Sequence, residues 1–220
     1  MIHRALLMRH SIPEKNVPAD NGTYIKDPDP YLSRNGVALA SIKGLAIEQY
    51  AATEGLELHV ASSPLNRAYD TARCAFPDTE IEVIPDLTEV QHNIHRGTVS
   101  STLAGIALSP WTGTNARNWG GESPQQAAQR TLIAISDKVK SNDPGVLQVF
   151  VGHSFNIAGV RQEYGRSRAS RLLVPMMGWG ATSLMRLAYS AQTMKHCQTA
   201  GFIYDPSVDE FQFVEVSDEI

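Results

Sequence analysis

Five residues of this chain have the types and positions that chemistry requires, and four of them fall just beyond short apolar runs. Arg9 and His10 follow "ALLM" (5–8), Arg67 follows "LELHVA" (56–61) across a Ser-Ser-Pro segment, and His153 follows "VLQVFV" (146–151). Glu89 closes "LTE" (87–89). A neutral imidazole can attack phosphorus and split ester hydrolysis into formation and breakdown of a phosphohistidine; His10 is the candidate. The group in transfer carries charge on three equatorial oxygens, and guanidinium forks with a protonated imidazole hold it without a metal. Arg9, Arg67 and His153 suit that cradle. The leaving alkoxide needs a proton and the attacking water must lose one, so a single carboxylate serves both half-reactions, and Glu89 is the candidate. Taken singly, Arg67 reads as a helix-surface charge, Glu89 as a loop carboxylate and His153 as a satisfied core histidine. Taken together, one hypothesis explains their order, types and placement.

The elements that must position them alternate. The three apolar runs are short and bounded by turn or charged residues, as in strands of a sheet covered on both faces. Between them lie helical patterns. Val37–Tyr50 follows "SRNG" and places Leu39, Ile42, Leu45 and Ala46 on one face, while "ESPQQAAQRTLIAISDKVK" (122–140) opens on Ser-Pro, with Ser123 as its cap. The order predicts an α/β fold, a three-layer α/β/α sandwich on a mostly parallel central sheet, whose functional groups gather beyond the carboxyl ends of the strands. The C-terminal "GFIYDPSVDEFQFVEV" alternates around Asp-Pro-Ser and predicts a hairpin at an antiparallel sheet edge. Residues 85–121 break the alternation. They are rich in Gly, Ser, Thr, His and Trp and read as an excursion over the active site, with one short helical candidate at 100–108. Within it Arg96 and Arg117 are candidates for substrate specificity, and His92, His95, Trp111 and Trp119 are equally compatible with packing of a lid. With no repeat or linker, residues 1–220 are expected to form a single domain.

Composition bounds the partners. Of the 220 residues 42% are hydrophobic and 19% charged, and 19 Lys and Arg against 23 Asp and Glu give a net charge of −4, without the basic footprint of a nucleic-acid binder. No stretch has the apolar length of a membrane span and no long apolar segment precedes Arg9. Cys74 and Cys197 lack the spacing of a disulfide framework, so the expectation is a cytoplasmic protein acting on a small phosphorylated substrate, with no metal or other cofactor. A homodimer is compatible with this composition.

The residues resemble the histidine phosphatase superfamily, the phosphoglycerate mutase-like proteins, over nearly the whole chain. Arg9–His10 resembles the family's Arg-His-Gly signature, and "SSPLNRAYDTA" (62–72) its segment around the second arginine. "DPYLSRNG" (29–36) resembles the lead into the family's first helix, "LTEVQHNIHRG" (87–97) the acid-bearing loop, and "GGES" (120–123) and "VGHSFNI" (151–157) the segments around the second histidine. "GATSLMRL" (180–187) resembles the strand after it. The resemblance implies a phosphoglycerate mutase-like fold and a phosphohistidine intermediate. It places a phosphate-contacting Asn at Asn16, with Ser154 as a further substrate contact. Ser11 stands where the family usually has Gly, Ile12 replaces a common Glu, and "GHS" alters the small residues around His153. The loop after Glu89 lacks the Arg-rich and Tyr-Gly pattern of cofactor-dependent mutases, which favours hydrolysis over phosphoglycerate-type transfer.

A different enzyme class has one motif in its favour. "GHSFN" is one residue from the G-x-S-x-G nucleophile elbow, with Asn156 in place of the last Gly. A triad of Ser154, His196 and Glu163 would then act in acyl transfer, but it leaves Arg9–His10 and "SSPLNRAYDTA" unexplained. A catalytically silent binding protein is disfavoured, because all five positions keep a competent side chain.

Overall fold

The computed structural model describes residues 1–17, 27–89, 122, 124–154, 156–158, 160 and 195–214. Strand β1 (His3–Arg9) runs into a 3-10 turn at Glu14–Asn16; helix α1 (Arg34–Glu54), strand β2 (Glu57–Ser62), helix α2 (Asn66–Ala75) and strand β3 (Ile81–Val83) follow. A second 3-10 turn, Pro85–Leu87, leads to Glu89. After it come helix α3 (Pro124–Ser141), strand β4 (Val146–Gly152), strand β5 (Thr199–Asp205) and strand β6 (Glu210–Val214).

These strands form one sheet in the order β3-β2-β4-β1-β5-β6, in which β3, β2, β4 and β1 are parallel and β5 and β6 close one side antiparallel. The expected C-terminal hairpin is β5–β6, and it is the antiparallel edge. It also supplies the strand beside β1, whereas residues 180–187 and the excursion beyond Glu89 lie outside the described residues.

Both faces of the sheet are covered. Ala5 and Leu7 of β1 pack with Phe150, Phe202, Ile135 and Val139 on the α3 side, while Leu6 and Met8 pack with Val60, Val149, Ile47 and Ala72 on the side of α1 and α2. Alternate residues of one strand thus serve two cores, which is why "ALLM" is apolar throughout and not alternating.

Two expectations about the helices are corrected. Helix α1 begins earlier than Val37, because Ser33 caps it: its Oγ accepts from Gly36 N–H (3.1 Å) and donates to Ile12 O (3.0 Å). Its buried face is made by Gly36, Ala40, Gly44, Ile47 and Ala51, whereas Ile42 (66% exposed) and Leu45 (58%) face solvent and Leu39 and Ala46 are only partly buried. The apolar periodicity misleads because α1 approaches α2 and the segment after His10 too closely for large side chains. Arg67 is the second residue of α2.

A Cβ on Gly44 would lie 1.9 Å from the Ala75 carbonyl oxygen of α2. Gly44→Ala would gain up to about 1 kcal/mol of helix propensity, but the clash is with backbone, and overpacking of this kind costs about 1–3 kcal/mol or more. The variant is expected to melt roughly 2–8 °C below the wild type. An unchanged or raised Tm in a thermal scan would show that α1 and α2 separate at little cost.

Candidate active site

The sheet register sets the site. Arg9 pairs with Gly152 and Ser62 with Val151, so β1, β4 and β2 end level and release His10, His153 and Ser63 side by side. His10 N–H donates to Gly152 O (2.8 Å) and Ser63 N–H to Val151 O (2.9 Å), continuing the ladders past the strand ends.

His10 is 5% exposed, and its Nδ1 lies 2.7 Å from the Ser11 carbonyl oxygen. A carbonyl only accepts, so Nδ1 carries the proton and Nε2 keeps its lone pair. Burial, followed by the positive charges of Arg67 and Arg9, holds the His10 pKa well below the ordinary value of 6.5 despite the opposing hydrogen bond to Ser11. The ring is therefore neutral at physiological pH. Ser11 occupies the position of the expected Gly and is anchored on both sides: its N–H donates to Thr71 Oγ1 (2.8 Å) and its hydroxyl to Gly36 O (2.7 Å). The departure from the family signature is absorbed by α1 and α2.

The other predicted groups converge. The His10 and His153 rings are 5.3 Å apart, His153 Nδ1 is 3.4 Å from Glu89 Oε2, and Arg67 Nη2 is 3.8 Å from that same oxygen. His153 is fully buried and shares a 2.9 Å hydrogen bond from Nε2 to Ser63 Oγ. Arg9 is close enough for Glu89 to act on it, and burial lowers the pKa of both guanidiniums while Glu89 opposes the shift. Both remain cations.

Two residues bordering His10 and Arg67 are not assigned to this site from the sequence, where His196 figures only in the alternative acyl-transfer triad. Asp29 pairs with Arg67 (Oδ1 to Nη1, 3.4 Å) and accepts from Asn66 N–H (3.1 Å), which caps the first turn of α2 from outside and holds the guanidinium toward Glu89. Its signal was the acid opening "DPYLSRNG". His196 lies with its ring 5.6 Å from that of His10, and Asn16 Nδ2 donates to its Nε2 (3.2 Å). It is carried by the turn Lys195–Gln198, in which Cys197 adopts a left-handed φ of 56° and donates its N–H to Arg9 O (3.1 Å), while Arg9 N–H donates to Gln198 O (3.1 Å). Burial and then the Arg9 charge push the His196 pKa down to about 4. The signal was positional: β5 begins level with the end of β1 (Met8 opposite Thr199), so the residues preceding it border His10.

Asn16 therefore borders the site through His196. Ser154, half-buried, opens the helical segment after His153, and no hydrogen bond joins it to His196, among the described residues. Arg96, Arg117, Ser123 and Glu163 lie outside the described residues.

The ligand atoms of His10, Glu89 and His153 lie within 4.8 Å of one another, a donor set that a transition metal accepts. The guanidiniums of Arg9 and Arg67 act on the same carboxylate, so the local field favours a group that brings negative charge, such as a phosphoryl group, over a bare cation.

The model of the Histidine phosphatase superfamily (branch 1) matches residues 5–198. Among solved structures, the fold is similar to that of a phosphoserine phosphatase from Entamoeba histolytica in complex with 3-phosphoglyceric acid, at 20% identity and TM-score 0.65, over 98% of each chain. A mycobacterial glucosyl-3-phosphoglycerate phosphatase in complex with inorganic phosphate aligns at 18% identity and TM-score 0.63, over 99% of each chain. A phosphoglycerate mutase from Bacillus anthracis aligns at 14% identity and TM-score 0.64, over 99% of this chain and 94% of that one. At these identities the likeness establishes the fold. No curated protein sequence matches the chain. No described helix is long and apolar enough to cross a membrane.

Proposed function

Because the chain belongs to the histidine phosphatase superfamily, we propose that it hydrolyses a phosphomonoester of a small metabolite through a phosphohistidine on His10, without a metal. The observation that carries this reading is the Nδ1 hydrogen bond of a buried, neutral His10 to Ser11 O, which leaves Nε2 as the nucleophile beside His153, Glu89 and two guanidiniums.

His10 Nε2 attacks phosphorus in line with the ester oxygen. The N–P bond forms as the P–O bond breaks, and Glu89 gives its proton to the departing alkoxide. Arg9, Arg67 and His153 hold the equatorial oxygens, with Asn16 and Ser154 as further contacts. Arg67 is preorganised by Asp29. In the second half-reaction water attacks the phosphohistidine, Glu89 takes its proton, and inorganic phosphate leaves with His10 neutral again. Arg96 and Arg117 are assigned to substrate selection. The free thiols of Cys74 and Cys197 favour a reducing compartment, the cytoplasm.

A panel of phosphate esters assayed with EDTA present tests the reading. Inorganic phosphate release with an acid-labile, stoichiometric protein phosphate is expected, and a fluorophosphonate should leave Ser154 unlabelled. Transfer of the label to a second hydroxyl of the substrate would make the protein a mutase; labelling of Ser154 that tracks with loss of activity would make it a serine hydrolase.

A further inference from the structure

The residue that broke the elbow motif, Asn156, is 2% exposed and one helical turn beyond His153, whose carbonyl accepts from Ile157 N–H (3.0 Å). Its side chain points at the acid loop. Nδ2 donates to Thr88 O (2.8 Å) and to Thr131 Oγ1 (3.0 Å), with Leu87 O at 3.3 Å. The Thr131 hydroxyl in turn donates to Asp86 O (3.0 Å). Arg130 completes the arrangement from α3: Nη2 donates to Thr88 O (3.1 Å), Nη1 to Asp86 O, and the guanidinium is itself held by Glu122. The carbonyls of the three residues before Glu89 are thus all held by side chains of α3 and of the segment that begins at His153.

The carbonyls of a short irregular segment have no ladder partner, and side-chain donors that satisfy them also hold the segment in one geometry. Here the geometry is that of the carboxylate. Asn156 and His153 share one helical turn, so a hydrogen bond from Asn156 to the carbonyl preceding Glu89 sets how far Glu89 stands from His153, which is 3.4 Å. We propose that Asn156 is a positioning residue for the proton-transferring carboxylate: through Thr88 O, and with Thr131 and Arg130, it fixes Glu89 relative to His153 and to the ester oxygen. This rests on the assignment of Glu89 as the acid.

A misplaced acid has a signature that general damage to the site lacks. Alkyl esters need the proton and aryl esters with good leaving groups do not, so Asn156→Ala should slow the pre-steady-state burst on an alkyl phosphate roughly 10–100-fold, the scale of a 1 Å misplacement, and on 4-nitrophenyl phosphate less than about threefold. In a Glu89→Gln background the same substitution should change the alkyl burst less than about twofold, since the proton is already missing. Thr131→Val, which removes the hydroxyl but preserves shape, should show the same selectivity at smaller size and guards against a misfolded Asn156→Ala. Equal losses on both esters, or an undiminished alkyl loss in the Glu89→Gln background, would overturn the proposal alone. If Glu89→Gln itself shows no selectivity, the assignment of the acid fails and this proposal with it.

Discussion

His10→Ala should remove both turnover and the acid-labile phosphate on the protein, with kcat falling on the order of 10⁴–10⁶-fold, as when the covalent nucleophile is taken from a catalytic unit whose other members survive. The size follows from what is lost and what stays. Arg9, Arg67 and His153 still bind and neutralise the phosphoryl group, so substrate binding should persist, with KM within roughly tenfold of wild type. What disappears is an attacking nitrogen whose partner proton is pinned: Ser11 O holds Nδ1–H, and Nε2 carries the lone pair. His196 lies with its ring 5.6 Å from that of His10, and its Nε2 accepts from Asn16. It therefore should not substitute. Quenched-flow trapping with labelled substrate distinguishes the outcomes. Stoichiometric phosphate on the His10→Ala protein would move the nucleophile to another residue.

Glu89→Gln should divide substrates by leaving group. An alkyl phosphate departs as a strongly basic alkoxide, and loss of a positioned acid costs roughly 10²–10⁴-fold; a nitrophenolate leaves unaided, so its first transfer should fall less than about tenfold. Steady-state rates conceal the difference, because the same carboxylate also takes the proton from water in dephosphorylation, so the burst phase must be measured. Glu89 stands 3.4 Å from His153 and 3.8 Å from Arg67. Equal loss on both ester types would make Glu89 a holder of Arg67 and not a source of protons.

The candidate nucleophile, cradle and acid are legible in the sequence because each stands at a boundary that local patterns mark. A short apolar run ends and a hydrogen-bonding residue follows, which in a parallel sheet means the carboxyl edge. The alternation of three such runs with helical segments sufficed for the layers, and the Asp-Pro-Ser turn for the hairpin. Helix α1 shows where local patterns fail. Ile42 and Leu45 are apolar yet exposed, since the buried side of that helix is chosen by the backbone of Ala75 and of Ile12, which admit only Gly36 and Gly44 at the closest points.

What only the tertiary structure decided are pairings across long stretches of chain. Asp29 against Arg67, Ser63 against His153, His196 against His10 and Asn156 against Thr88 join residues 38, 90, 186 and 68 positions apart. No periodicity or turn signal encodes such contacts, because each depends on the register of strands and the depth at which a helix settles on the sheet. Residue types at strand ends determine what chemistry is available; distances between elements determine which of those groups meet and where the carboxylate stands.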